Sequence, residues 1–208
     1  MNKAPGLRLG PLRLLLLLPL LVLPSRDAKA YRVLYAEQYY RLYHLHFYQY
    51  PDDTLENIYY LEQALKADFA NPLYALARIE NQRQWAQYRM LFKMHVNLKL
   101  VELYLTLGSK YDKRTAYFYN APWKEQNLDS LQKAEQAYRT ALGYWAEALG
   151  QAVQWRRLEF NLEAIQKWED EWKRILVGEL DYRQIIESHL DRLQRVRRAF
   201  QAMDENTY

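Results

Sequence analysis

Residues 127–155 read NLDSLQKAEQAYRTALGYWAEALGQAVQW, and the fold follows from the spacing within them. Leu131, Ala134, Tyr138, Ala141, Trp145, Ala148, Ala152 and Trp155 recur at alternating intervals of three and four. That is the period of a helix with one apolar stripe, not the two-residue alternation of a half-buried strand. Small and bulky residues take turns along the stripe. Alanine lets a neighbouring helix approach, and Tyr and Trp fill the gaps between turns. The helix is predicted to start near Asn127 or Asp129. Gly143 and Gly150, seven apart, share a face and predict a close backbone contact or a bend.

The same period extends outward through the chain, and no stretch shows sustained two-residue alternation rich in β-branched residues. A first helix is predicted from about Lys29 to Tyr48. Tyr31, Tyr35, Tyr39, Tyr43 and Phe47 recur every fourth residue in it and form one aromatic ridge. Pro51-Asp52-Asp53 breaks it and caps a second helix over about Thr54 to Ala67, with Leu55, Ile58, Leu61 and Leu65 inward. Pro72 opens a long third segment to Leu107, bent near Asn81 and closed by Gly108. Ser109 to Gln126 reads as an irregular connection. Beyond the opening stretch, Leu158, Leu162, Ile165, Trp172 and Leu176 mark a fifth helix ended by Gly178. Asp181 caps a sixth, with Tyr182, Ile186, His189, Leu193, Val196 and Phe200 inward. The short break at Gly178–Leu180 predicts that the last two helices form an antiparallel hairpin. The fold class is all-α, with antiparallel hairpins stacked as a short solenoid or an irregular bundle.

Residues 1–30 have another character. Lys3, Arg8 and Arg13 precede a run of ten residues, Leu14–Leu23, interrupted only by Pro19, and Ala28-Lys29-Ala30 follows. A basic start, a short apolar run and an A-x-A site read as a secretory signal peptide. Ten residues span about half of a bilayer core, so an uncleaved leader acting as an anchor is the alternative. No Cys follows the run, which excludes a lipoprotein. Export without any cysteine points to a bacterial periplasm. The expected organisation is a leader over 1–30, one helical domain over 31–203 and a frayed end over 204–208.

The formal charge of +4 resides in the leader, because the remaining 178 residues carry 24 bases and 24 acids. No nucleic-acid partner is expected of a neutral chain. The absence of cysteine also excludes thiol catalysis and Cys-based metal sites. His44 and His46 lie about 200° apart on a helix and cannot share a metal. His95 and His189 read as structural. The types in Ser188-His189 and Asp191 suit a hydrolase, but near neighbours on one helix point apart. Glu169-Asp170-Glu171 reads as a solvated face. No catalytic residue, metal or cofactor is expected. Arg192, Arg195, Arg197 and Arg198 crowd the last helix, whose apolar face makes it, besides the leader, the one candidate for membrane contact.

Leu61-Glu62-Gln63-Ala64-Leu65-Lys66-Ala67-Asp68, with Asn71-Pro72 and Tyr74-Ala75-Leu76-Ala77, resembles the junction between two tetratricopeptide repeats. Ala134, Tyr138, Ala141 and Leu142 are similar to the small–aromatic–small spacing of that family's second helix. The resemblance implies a superhelix with a groove that binds peptides or partner proteins. The tyrosine-rich exported chain, with Tyr111-Asp112-Lys113-Arg114 and Asn120-Ala121-Pro122-Trp123, is also similar to spirochaete periplasmic repeat proteins. Some of those form the collar of the flagellar motor.

Nineteen Tyr and six Trp exceed what core filling ordinarily uses. A ring with a polar tip suits a half-exposed interface. Tyr31, Tyr35, Tyr39 and Tyr43 on the first helix, and Tyr117, Phe118, Tyr119 and Trp123 in the connection, are the candidate partner-binding residues. The expected role is a non-enzymatic periplasmic scaffold that binds other envelope proteins. The alternative is a helical binder of a small hydrophobic or aromatic ligand, with tyrosines lining an internal pocket.

Overall fold

The computed structural model describes residues 32–155, 162–204 and 207. The chain divides into two units, Met1–Arg32 and Val33–Tyr208. The expected leader, Tyr31, Leu158 and most of the expected frayed end lie outside the described residues. Those described form six α-helices and no strand beyond one isolated bridge, Tyr35 with Asp68. The helices are α1 Ala36–Gln49, α2 Thr54–Lys66, α3 Gln82–Tyr111, α4 Lys124–Gln154, α5 Gln166–Leu176 and α6 Tyr182–Gln201. None of the described helices is long and apolar enough to cross a membrane.

The antiparallel contact of α3 with α4 is the centre of the bundle. Along α4, Leu131, Ala134, Tyr138, Ala141, Trp145, Ala148 and Ala152 are all buried, as their spacing predicts. α4 begins earlier than expected, at Lys124, because a 3-10 turn over Phe118–Trp123 feeds straight into it. α3 has buried residues all round, from Tyr88 to Leu103. That is the mark of a helix covered on every side, and α2, α4 and α5 pack on it.

The third segment is not one bent helix. Asn71 caps a single 3-10 turn over Pro72–Tyr74 by accepting from the Leu73 N–H at 2.8 Å. The chain then runs irregularly to Asn81, whose Oδ1 accepts from the Gln84 N–H at 2.9 Å and starts α3. Two side chains that prefer local backbone bonds thus interrupt the helix. Gly108 does not end α3, which continues to Tyr111. A Cβ at position 108 would lie 2.4 Å from Tyr138 Cε1. The close approach predicted at Gly143 and Gly150 is found instead at Gly108, and nothing lies within 4 Å of a Cβ built at either of the other two.

α1 starts at Ala36, not at Lys29, because Gln38 Oε1 reaches back to the N–H groups of Leu34 and Tyr35 at 2.8 and 3.0 Å. On α2 the inward face is Thr54, Asn57, Ile58, Leu61 and Ala64, and Leu55 is exposed. Apolar spacing misplaces this face because Asn57 is buried as the clasp of the turn. Its Nδ2 donates to Tyr50 O, and its Oδ1 pairs with His46 Nδ1, both at 3.1 Å.

Gly178, at φ +77°, ends α5 with the Glu179 and Leu180 N–H groups returning to Arg174 O. Asp181 caps α6 by accepting from the Arg183 N–H. The expected α5–α6 hairpin does not form. α5 packs on α3 and α4, while α6 packs on α4, so the two do not lie along each other. Ile186, Leu193, Val196 and Phe200 are buried, so these four turn towards the bundle, and Ile185 is exposed.

Two glycine substitutions are expected to act in opposite directions. Gly108→Ala presses a methyl into the Tyr138 ring and destabilises by about 1–3 kcal/mol. Gly143→Ala, on an exposed helical face, stabilises by about 0.5–1 kcal/mol. Urea unfolding of the two variants measures both.

Candidate functional site

The tyrosines fall into two populations. One lies between helices, and six of its hydroxyls, those of Tyr40, Tyr88, Tyr104, Tyr138, Tyr144 and Tyr182, meet a polar partner on another element. Tyr104 on α3 and Tyr144 on α4 both donate to Glu62 Oε1 on α2 at 2.8 Å, with their rings stacked 5.5 Å apart. Tyr138 on α4 donates to Asp112 Oδ2 at 2.9 Å, and Tyr182 on α6 to Glu102 Oε1 on α3 at 3.0 Å. Tyr88 on α3 donates to Glu37 Oε1 on α1 at 3.4 Å. The Glu37 Oε2 accepts from the Ala70 N–H at 3.0 Å, so this carboxylate also holds the segment ahead of α3. Burial is the largest cause that pushes each of these phenols above its ordinary value, and they remain neutral donors.

One buried polar group joins three helices. His95 on α3 is 2% exposed. Its Nε2 lies 2.8 Å from Tyr40 Oη on α1, and its Nδ1 lies 2.5 Å from Glu171 Oε2 on α5. The Trp168 indole stacks on the imidazole at 4.9 Å. Burial lowers the His95 pKa, outweighing the hydrogen bond to Glu171 that raises it. The ring is therefore neutral. A single tautomer meets both contacts: Nδ1–H donates to Glu171, and Nε2 accepts from the Tyr40 O–H.

This corrects the reading of Glu169-Asp170-Glu171 as a solvated face. Glu169 and Glu171 are 1% and 8% exposed, and only Asp170 faces out. Glu169 Oε1 accepts from the Leu162 N–H at 3.2 Å. The two glutamates share the inward face of α5 with Trp168 and Trp172. Histidine 95 was identifiable as a polar residue on an apolar face. Its acid partner was not, because it stands 76 residues further along the chain.

Tyr40, His95 and Glu171 have the order of nucleophile, base and orienting acid. Their surroundings are closely packed and largely aromatic. Burial pushes the Tyr40 phenol well above its ordinary range, and the Tyr43 phenol up to about 12. His44, Phe92 and Trp168 pack edge-on around Tyr40 at 4.5, 5.4 and 5.7 Å. The row holds a proton in a closed apolar setting and fastens α1, α3 and α5 together.

The remaining histidines also serve packing. His189 stacks on Tyr138 at 4.9 Å, and its Nδ1 accepts from Arg192 Nη2 at 2.8 Å, so its partner is neither Ser188 nor Asp191. Burial, then the Arg192 charge, lowers its pKa. Arg192 also pairs with Asp112, and Arg197 with Glu135 at 2.5 Å. Burial raises the Glu135 carboxyl, but hydrogen bonds from Arg139 and Arg197 outweigh it and leave its pKa low. Two of the four bases of the last helix named as a candidate for membrane contact are thus engaged within the bundle. No group of three or more ligating side chains placed for a metal occurs among the described residues.

The second population of rings faces out. Of the expected ridge on α1, Tyr35 is exposed and Tyr39 is partly buried. Tyr43 is 5% exposed, packed by Tyr40 and Phe47, so its ring is not at the surface where it was expected. A ridge of every fourth residue drifts around the helix, so its members do not all keep one environment. In the connection, Tyr117, Phe118, Tyr119 and Trp123 are 51%, 64%, 52% and 55% exposed. Tyr117 stacks on Tyr119 at 5.1 Å, with Phe118 edge-on at 5.6 Å. Both ends of this turn are tied. Asp112, at the end of α3, receives Tyr138 and Arg192, and Ser130 Oγ donates to Tyr111 O at 2.8 Å. Lys124 Nζ donates to the carbonyls of Gln201 and Met203 at 3.0 and 2.9 Å. Further exposed rings, Tyr48, Tyr50 and Tyr59, cluster at the α1–α2 end and were not singled out by spacing.

A family model described as a domain of unknown function (DUF8513) matches residues 83–203, more than half of the chain. The matched span holds nearly all of α3, the aromatic turn, and α4 to α6, and it leaves out α1 and α2. No curated protein and no solved structure matches the chain.

Three histidines held below their ordinary pKa make stability depend on pH. The unfolded chain takes up protons below about 6.5 that the folded chain resists, so stability is full above that value and is lost as pH falls. The urea midpoint is expected to drop between pH 7.5 and 5.5. His95→Gln is expected to lower stability by about 1–3 kcal/mol at pH 7.5 and to flatten the pH slope. An unchanged slope would exclude His95 as a titrating group.

Proposed function

The chain belongs to the DUF8513 family of unknown function, and from its own geometry we propose that it is a non-enzymatic docking module for a partner protein. One observation carries the reading: four large rings stand half or more exposed on a turn that is tied at both ends. An anchored turn loses little conformational freedom when covered, so ring burial goes into affinity. The four half-exposed rings offer roughly 400 Å² of apolar surface. At about 25 cal/mol per Å² that is roughly 10 kcal/mol before the cost of association. This suits the hot centre of an interface with an apolar pocket on the partner.

The buried phenols support the same reading over a small-ligand pocket. Their hydroxyls are engaged by Glu37, Glu62, Glu102, Asp112 and His95, so they do not rim a cavity. The leader-like residues 1–30 support export to a periplasm, where a structural subunit of an envelope assembly, such as a flagellar motor collar, is the specific form proposed.

Replacing Tyr117, Phe118 and Trp123 together by Ala is expected to reduce partner recovery in pull-downs from the cell envelope more than about tenfold, with the circular dichroism of the wild type. Unchanged recovery by the folded variant would remove the turn as the docking face.

A further inference from the structure

At the opposite end of α3 the surface has another chemistry. The last turn of α2, the connection from Ala67 to Pro72, the first turns of α3 and the end of α4 enclose an open groove of about 660 Å³. Trp85, Arg89 and Lys93 follow one another at intervals of four along its α3 wall. The Trp85 indole is fixed by stacking on Tyr88 at 5.3 Å and by the edge of Phe69 at 5.9 Å. The Arg89 guanidinium lies over that indole, 5.5 Å from its centre. Lys66, whose ammonium also pairs with Glu62 at 3.8 Å, and Trp155 line the other walls, and Asp68 is the single acid among the described residues of the lining. Lys66, Arg89 and Lys93 are all exposed.

We propose that this groove binds an extended acidic peptide segment of a partner protein. Its carboxylates lie over Arg89 and Lys93, and an apolar or aromatic side chain lies against Trp85 and Trp155. The spacing carries the assignment. Four helical residues advance about 6 Å, and alternate side chains on an extended chain stand about 6.8 Å apart. A row of bases on a helix therefore registers with acids at every second residue of an extended peptide. Asp68 sets the class of ligand. One acid among the three bases of the described lining accommodates a peptide, which offers N–H donors and mixed side chains, and it disfavours a uniform polyphosphate strand. The groove lies roughly 30 Å along α3 from the aromatic turn, so it is a second contact that stands or fails independently of that turn.

The test is fluorescence anisotropy of the full chain with a fluorescein-labelled nonapeptide carrying Glu at every even position, Phe at its centre and Ser elsewhere. The controls are the same peptide with Lys for Glu, and a nine-nucleotide oligothymidylate. Saturable binding of the Glu peptide is expected, weakened about tenfold by Lys93→Glu and further by Arg89→Glu. Lys93→Glu leaves the Arg89–Trp85 contact in place and tests charge alone. The Tyr117→Ala/Trp123→Ala variant is expected to bind the probe as the wild type does, which separates this site from the docking turn. Absence of saturable binding, equal binding of the Lys peptide, tighter binding of oligothymidylate, or full binding by the two charge-reversed variants would each overturn the proposal.

Discussion

A phenol taken out of water keeps one hydrogen to donate, and an unmade bond there costs about 1–3 kcal/mol. That constraint organises this bundle. Tyr40, Tyr88, Tyr104, Tyr138, Tyr144 and Tyr182 each bring a ring into the apolar layer and carry the hydroxyl to an acceptor on another element. The acceptors are mostly carboxylates, which also resist burial unless donors reach them. Glu62 on α2 receives Tyr104 and Tyr144 from α3 and α4 at once. Glu171 is reached through His95, which itself receives Tyr40. Donors and acceptors on different helices must coincide, so they fix the register of one helix on the next more narrowly than apolar contact does. A chain without a cysteine has no covalent alternative.

These bonds constrain most where α3 and α4 meet. Tyr138 lies over Gly108 because no side chain stands there, and its hydroxyl reaches Asp112 at the end of α3. Asp112 also receives Arg192 from α6. One close approach therefore sets the α3–α4 contact, seats α6, and fixes where the aromatic turn begins. The exposed rings of 117–123 are held in place by packing in the core, not by contacts among themselves alone.

Much of the bundle was legible in the sequence because apolar spacing is a local signal. The α4 stripe, the Asp53 and Asp181 caps and the Gly178 stop are each decided within a turn or two of helix. What was not legible depends on distant partners. Asn57 is buried because the α1–α2 turn needs a clasp, and Glu171 because His95 needs an acceptor. Tyr43 lies inward because a ridge of every fourth residue drifts around the helix. Gly108 looked like a stop because a glycine near a helix end usually is one, and only the Tyr138 ring shows its other use. Of the described candidate docking rings, those on the connection are exposed, while Tyr35, just ahead of α1, is exposed, Tyr39 is partly buried and Tyr43 is buried.

The family boundary gives these polar bonds a further meaning. The matched span starts at Arg83, in the first turn of α3, so α1 and α2 precede the part held in common. Removing them would open α3 along Phe92 and His95 and leave Tyr88, Tyr104 and Tyr144 without acceptors. The bonds that seat the pair are largely polar: Glu37 with Tyr88, His95 with Tyr40, Glu62 with two tyrosines, and Lys110 with Asp52 O and Thr54 Oγ1 at 2.8 and 2.7 Å. A cover held only by apolar contact would tolerate sliding. One held by directed bonds at both ends has a single seat. The groove wall formed by Lys66 and Asp68 and the exposed rings at Tyr48 and Tyr59 are carried on that cover, so its seating determines how they stand against the α3 and α4 surfaces beside them.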